Sequence, residues 1–164
     1  MTEYTVKVYP DGTEWWLNGQ LHRADGPAIE CSTGYKKWYL NGQLHRADGP
    51  AVERSNGYKE WWLNGQRHRD NGPAVEHSDG TKSWYLNGQL HRADGPAIEY
   101  SDGYKEWWLN GQRHRDNGPA VEHSDGTKEW RGLNGVRQPH PETVKEMTVA
   151  EVSAKLGYEV KIVK

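Results

Sequence analysis

The chain has 164 residues, of which 34% are hydrophobic and 27% charged, with a net charge of −2. Near-neutral charge argues against a DNA-binding protein, which carries a basic excess. The apolar content rests on nine Trp and nine Tyr with no Phe, which argues against an ordinary Leu/Ile/Val core and for a thin stack of units that each bury contacts with their neighbours.

Residues 1–14 open the chain without a basic segment followed by an apolar one, so no secretory signal is expected. No apolar run approaches the roughly 18 residues that span a bilayer. A cytoplasmic location is the expectation. The stretch from Tyr4 to Tyr9 leads into Asp11-Gly12 and is expected to form a capping strand.

Residues 15–138 repeat. The unit W-x-L-N-G-x-x-H-R-x-x-G-P-A-x-E begins at Trp15, Trp38, Trp61, Trp84 and Trp107 and breaks off after Trp130, with a period of 23 residues. Such self-similarity dictates a modular, stacked architecture. Each copy holds two turn signals, Leu-Asn-Gly and a Ser-x-Gly such as Ser55-Asn56-Gly57. Asn-Gly and Asp-Gly favour two-residue hairpins because both turn residues need positive φ. The segment between them is short and rich in β-formers, so each copy reads as part of an antiparallel meander.

Two-residue turns set a register. Across Asn56-Gly57, Val52 would face Trp61, and Glu53 would face Glu60. Across Asn64-Gly65, Trp61 would face His68, Trp62 would face Arg67, and Glu60 would face Arg69. One face then carries a packing spine of Trp15, Trp38, Trp61, Trp84, Trp107 and Trp130. Leu17, Leu40, Leu63, Leu86, Leu109 and Leu133, with Ile29, Val52, Val75, Ile98 and Val121, would complete it. Arg69 would offset the repulsion of two opposed glutamates. Each Gly-Pro must sit at a bend, bulge or edge, because proline cannot donate to a ladder. Kinks there would curl the sheet into a trough, about 50 Å long for five repeats at two strands each.

The opposite face would carry the row Trp16, Tyr39, Trp62, Tyr85 and Trp108, opposed by Leu21, Leu44, Arg67, Leu90 and Arg113. In the middle copies Tyr goes with Leu and Trp with Arg. Residues 58–82 are identical to residues 104–128, so this alternation was copied as a two-repeat unit of 46 residues. Trp, Tyr and Arg are enriched at binding hot spots. Trp16, Tyr39, Trp62, Arg67, Tyr85, Trp108 and Arg113 are therefore the candidate partner-binding residues, against the alternative that this face completes the fold's own packing.

Residues 139–164 depart from the repeat and read as a cap. Pro139 and Pro141 break the array. Thr148 and Glu151 form a capping box opening a helix, Gly157 fits its stop, and the stretch from Tyr158 to Val163 alternates like a strand.

No catalytic residue, metal ligand or cofactor is expected. The carboxylates recur in every copy, with no copy singled out as a catalytic pair would be. His22, His45, His68, His91 and His114 are about 9.6 Å apart from copy to copy, too far to share an ion at about 2.1 Å. They are expected to pack on their cross-strand Trp, with His77 and His123 exposed. Cys31 stands where other copies have Arg54, His77, Tyr100 or His123. It has no partner for an intramolecular disulfide and reads as a tolerated substitution.

The motif N-G-x-x-H at this spacing, with an aromatic before the Asn and a Gly after the His, resembles the MORN (membrane occupation and recognition nexus) repeat. The form L-N-G-x-x-H-R-x-D-G-P-A-x-E is similar to divergent versions in tailed phages and large DNA viruses, and the likeness covers about residues 12–135. It implies an all-β, elongated and curved β-meander used as a protein-binding scaffold, to which the residues after 138 add a small C-terminal helix–strand cap. It further implies a phage-encoded inhibitor of a host protein, such as one of a bacterial defence system, acting in the host cytoplasm. His-Arg in place of His-Gly departs from the usual MORN pattern. Binding of a glycan or small ligand by the Trp/Tyr row is the alternative. A membrane-surface adaptor is the third reading, weakened by the absence of a basic excess. Nucleic acid is not expected as a partner. A homodimer through a sheet edge or the C-terminal cap is compatible with an open meander.

Overall fold

The structure, a computed structural model, describes residues 3–131, 136–139 and 148–156. One large antiparallel sheet dominates it. Its strands follow chain order: Thr5–Tyr9, Gly12–Leu17, Ile29–Cys31, Lys36–Lys37, Val52–Glu53, Lys59–Glu60, Val75–Glu76, Lys82–Ser83, Ile98–Glu99, Lys105–Glu106, Val121–Glu122, Lys128–Arg131 and Arg137–Gln138. It is a meander that does not close into a barrel among the described residues. The strand Gly12–Leu17 runs through the boundary expected after residue 14.

Between successive pairs of these strands the chain makes a hairpin. In the third copy, Trp62–Leu63 pairs with Gln66–Arg67. Asn64 and Gly65 both have positive φ, 49° and 74°, as a two-residue turn of this hand requires. Every such Asn from Asn18 to Asn110 repeats this. Neighbouring hairpins are bonded to each other. The Gly65 amide donates to the Leu44 carbonyl, and the Arg46 amide to the Trp62 carbonyl. The hairpins thus form a second row beside the main sheet.

The other turn differs from expectation. The Arg54 amide donates to Tyr58, and the Gly57 amide to Arg54. Gly57 takes φ 89°, whereas Asn56 keeps an ordinary φ and its side chain accepts the Tyr58 amide. This is a three-residue loop, a turn followed by a left-handed glycine bulge. The extra residue moves the register by one. Val52 faces Glu60 and Glu53 faces Lys59, so the expected opposition of Glu53 to Glu60 does not occur.

A one-residue slip sends side chains to the opposite face. Val52 and Val75 flank Glu60 from both sides, so the valines share the face of Trp62, not of Trp61. The alanines share the face of the spine tryptophans. Ala28, Ala51, Ala74, Ala97 and Ala120 are fully buried, as are Val52, Val75 and Val121 to within a few per cent. The spine residues Trp15, Trp38, Trp61, Trp84, Trp107 and Trp130 are half-buried instead. The small residues are the innermost layer, and the indoles roof it.

Each of the first five spine indoles is covered by an arginine. Arg23, Arg46, Arg69, Arg92 and Arg115 lie 3.8–4.1 Å from the ring centroids of Trp15, Trp38, Trp61, Trp84 and Trp107. The Arg69 guanidinium donates to the Pro73 carbonyl and to Glu76. A side chain on Gly72 would meet it at 3.1 Å. Arginine is therefore held between an indole and a glycine, and one contact set accounts for the recurring W, R, G-P and E. The arginine does not offset Glu60, as the expected register required.

The histidines lock one repeat to the next. The His45 Nδ1 accepts the Asn64 amide at 3.2 Å, and the same bond joins His22 to Asn41, His68 to Asn87 and His91 to Asn110. This is a directional bond to the next turn rather than packing on a tryptophan alone. His77 is exposed, as expected. His123 is half-buried, with its ring 5.0 Å from Tyr104.

At the C-terminal end, the helix Val149–Leu156 opens with the expected capping box. The Thr148 amide donates to the Glu151 carboxylate, and the Glu151 amide to the Thr148 hydroxyl. Leu133, Pro141, Gly157 and the stretch expected to form a final strand lie outside the described residues. No helix is long and apolar enough to cross a membrane among the described residues.

Candidate functional site

The row Trp16, Tyr39, Trp62, Tyr85 and Trp108 lies along the hairpins and is half-buried throughout. Its cross-strand partners are Leu21, Leu44, Arg67, Leu90 and Arg113. The Arg67 guanidinium lies 5.1 Å from the Trp62 ring centroid and 5.4 Å from that of Tyr85 in the next copy. Arg113 lies 5.1 Å from Trp108. The seven candidate residues thus lie along one hairpin row.

Beneath this row sit two buried carboxylates. Glu60 accepts from the Tyr58 hydroxyl, from the Trp62 indole at 2.5 Å and from Arg67 at 3.1 Å. Glu106 accepts from Tyr104 at 2.9 Å, from Trp108 at 2.6 Å and from Arg113 at 3.0 and 3.1 Å. Burial pushes the Glu60 carboxyl up, but the bonds from Tyr58, Trp62 and Arg67 outweigh it, and it lies below its ordinary value. Burial, with the neighbouring carboxylate, pushes the Tyr58 and Tyr104 phenols up to about 12.

The first copy has a variant of the same station. The Trp16 indole donates to Glu14 at 3.0 Å, and Lys7 of the preceding strand lies 4.1 Å from the Trp16 centroid. Indole, carboxylate and cation therefore recur every second repeat. The intervening copies carry Lys37 and Ser83 at the carboxylate position. Tyr58, Glu60, Tyr104 and Glu106 were not among the expected site residues. Part of their signal was in the chain: Tyr, Glu, Trp and Arg stand together, at offsets of two, four and nine residues from the Tyr, in the third and fifth copies, whereas the second keeps only Tyr35 and the first only Glu14 and Trp16.

On the spine face, grooves open between successive His-Arg-x-x-Gly-Pro loops. Three of them have volumes of 560, 570 and 470 Å³. The last is lined by Arg92, Pro96, Trp107, Leu109 and His114 among others.

Among the described residues, no three His, Cys, Asp or Glu side chains are grouped to hold a metal ion. Cys31 is a half-buried free thiol. The edge strand Thr5–Tyr9 is exposed along its whole length. No family model and no curated protein sequence matches this chain.

Proposed function

We propose that this protein is a non-enzymatic scaffold that binds another protein through its hairpin row. The observation that carries the reading is the half-exposed aromatic row anchored from beneath. Trp62 and Trp108 are held by buried Glu60 and Glu106, which also hold Arg67 and Arg113. Trp, Tyr and Arg dominate binding hot spots. Anchors fixed before binding lose little freedom on association.

The MORN-like motif supports an interaction role, and its divergent form supports a phage-encoded modulator of a host protein, acting in the host cytoplasm. Glycan stacking on the same row is the second reading, because the Trp/Tyr surface also suits sugar rings. The membrane-adaptor reading has less support, since no basic excess favours an anionic surface.

Affinity capture from host lysate, run beside a glycan panel and anionic vesicles, separates the three. One protein recovered in stoichiometric amount, and released by changes to Tyr39 and Tyr85, agrees with the proposal. Binding to glycans or vesicles with no protein captured overturns it.

A further inference from the structure

The spine face carries a second surface, which meets the aromatic row of the hairpins only at Tyr85 among the lining residues of its three grooves. We propose that its inter-repeat grooves form a track for a basic, proline-rich segment of another protein in the polyproline II conformation, one cationic side chain per groove.

Three observations converge. The first is lining: each groove has an indole, a leucine and the Gly-Pro loop of the copy before, as in Trp38, Leu40 and Pro27. Such aromatic-walled grooves suit polyproline II ligands, which arrive already extended and lose little entropy.

The second is pitch. Successive grooves are one repeat apart, two strand spacings or about 9.6 Å. A polyproline II helix has three residues per turn at about 3.1 Å each, so residues i, i+3 and i+6 share a face at about 9.3 Å. A β-strand presents one face every second residue, at about 6.6 Å. An α-helix places i and i+7 about 10.5 Å apart, a mismatch of about 0.9 Å that accumulates at every groove. Of the three regular conformations, polyproline II matches the repeat.

The third is charge. The loop arginines are drawn inward over the indoles, with side chains only 22–24% exposed for Arg23, Arg46 and Arg92. Their partners Asp25, Asp48 and Asp94 are 84–86% exposed. Asp70 and Asp116 take the rim in the other two copies, bonded to His68 and His114. Arg46 also binds Glu53, and Arg92 also binds Glu99, so in these two copies one arginine serves two carboxylates and the exposed Asp is the outermost charge beside the groove. Complementary potential selects a cationic ligand.

The test measures fluorescence anisotropy of labelled peptides on the intact protein. The probes are repeating Pro-Pro-Arg, repeating Pro-Pro-Pro-Arg with the same number of arginines, and flexible repeating Gly-Gly-Arg. The expected result is binding of Pro-Pro-Arg about tenfold or more tighter than either control. The variant Asp25→Asn/Asp48→Asn/Asp94→Asn keeps an acceptor for each arginine and should weaken that binding about tenfold. Changing Tyr39 alone, a hairpin-row residue that lines none of the three grooves, should leave it unaltered, so failure here is separable from failure of the scaffold reading. Equal binding of all three peptides, no binding of Pro-Pro-Arg, or an unchanged affinity in the Asp variant would each overturn the proposal.

Discussion

Arg69 lies over the indole of Trp61, with its guanidinium carbon 3.8 Å from the ring centroid, and its other side rests on Gly72. Five copies of this stack explain why the tryptophan, the arginine and the glycine recur together. The spine is a set of indole–guanidinium–glycine layers over buried alanines, and this accounts for a fold with few large aliphatic residues.

Removing either neighbour of the arginine should therefore destabilise the array. Arg69→Met loses a cation–π contact and charged hydrogen bonds, together about 1–3 kcal/mol. Gly72→Ala places a methyl against the guanidinium on a backbone held at φ 148°, and should cost at least as much. Because both act on one contact, the double variant should lose less than the sum. Urea unfolding of the three variants checks this, and strict additivity would contradict the stack.

The hairpin turns offer a sharper comparison. Asn64 has φ 49° and its amide bonds His45. Asn64→Ala should cost about 1–2 kcal/mol, since alanine resists the left-handed region. Asn64→Gly should cost clearly less, because glycine takes that conformation freely. Thermal unfolding of the pair decides it; equal losses would mean that the turn conformation is not what the asparagine supplies.

Acid should expose the Glu60 station. The folded carboxyl lies below its ordinary value of 4.5, so as pH falls the unfolded chain binds the proton first. The contribution is full above that value and is lost as pH falls through the folded one. The stability gap between wild type and Glu60→Gln should therefore be present at about pH 7 and narrow at about pH 3. Urea midpoints at the two pH values test this, and a constant gap would refute it.

Alkali should act on Tyr58 and Tyr104, with the opposite sign. Their folded phenols are raised to about 12 from 10.0. Stability from keeping them neutral is whole below pH 10.0 and declines as pH rises through about 12. Tyrosinate absorbance should show a late-ionising fraction that Tyr58→Phe/Tyr104→Phe removes. Its persistence in that variant would assign the late titration to other tyrosines.

The meander, the Asn-Gly hairpins, the capping box and the pairing of Trp62 with Arg67 were legible because each depends on local turn chemistry or on a spacing within one copy. The face of Val52 was not. It depends on whether Ser55-Asn56-Gly57 closes as two residues or three, and both readings fit the same letters. Once that loop adds a residue, every side chain on one strand changes face. The burial of Glu60 follows from the same slip, since Val52 and Val75 then enclose it. The role of Arg69 was hidden for another reason: its indole is eight residues away, and the contact forms only where the chain passes at Trp61 from the main sheet into the hairpin row.

On the proposed function the two faces divide their work, with the spine holding the stack and the hairpin row meeting a protein. The most direct measurement sets partner capture beside melting temperature for two variants. Tyr39→Glu/Tyr85→Glu should abolish capture while its melting temperature stays near that of wild type, and Arg69→Met should lower the melting temperature while capture persists below it. Capture undiminished in the folded tyrosine variant would contradict the account.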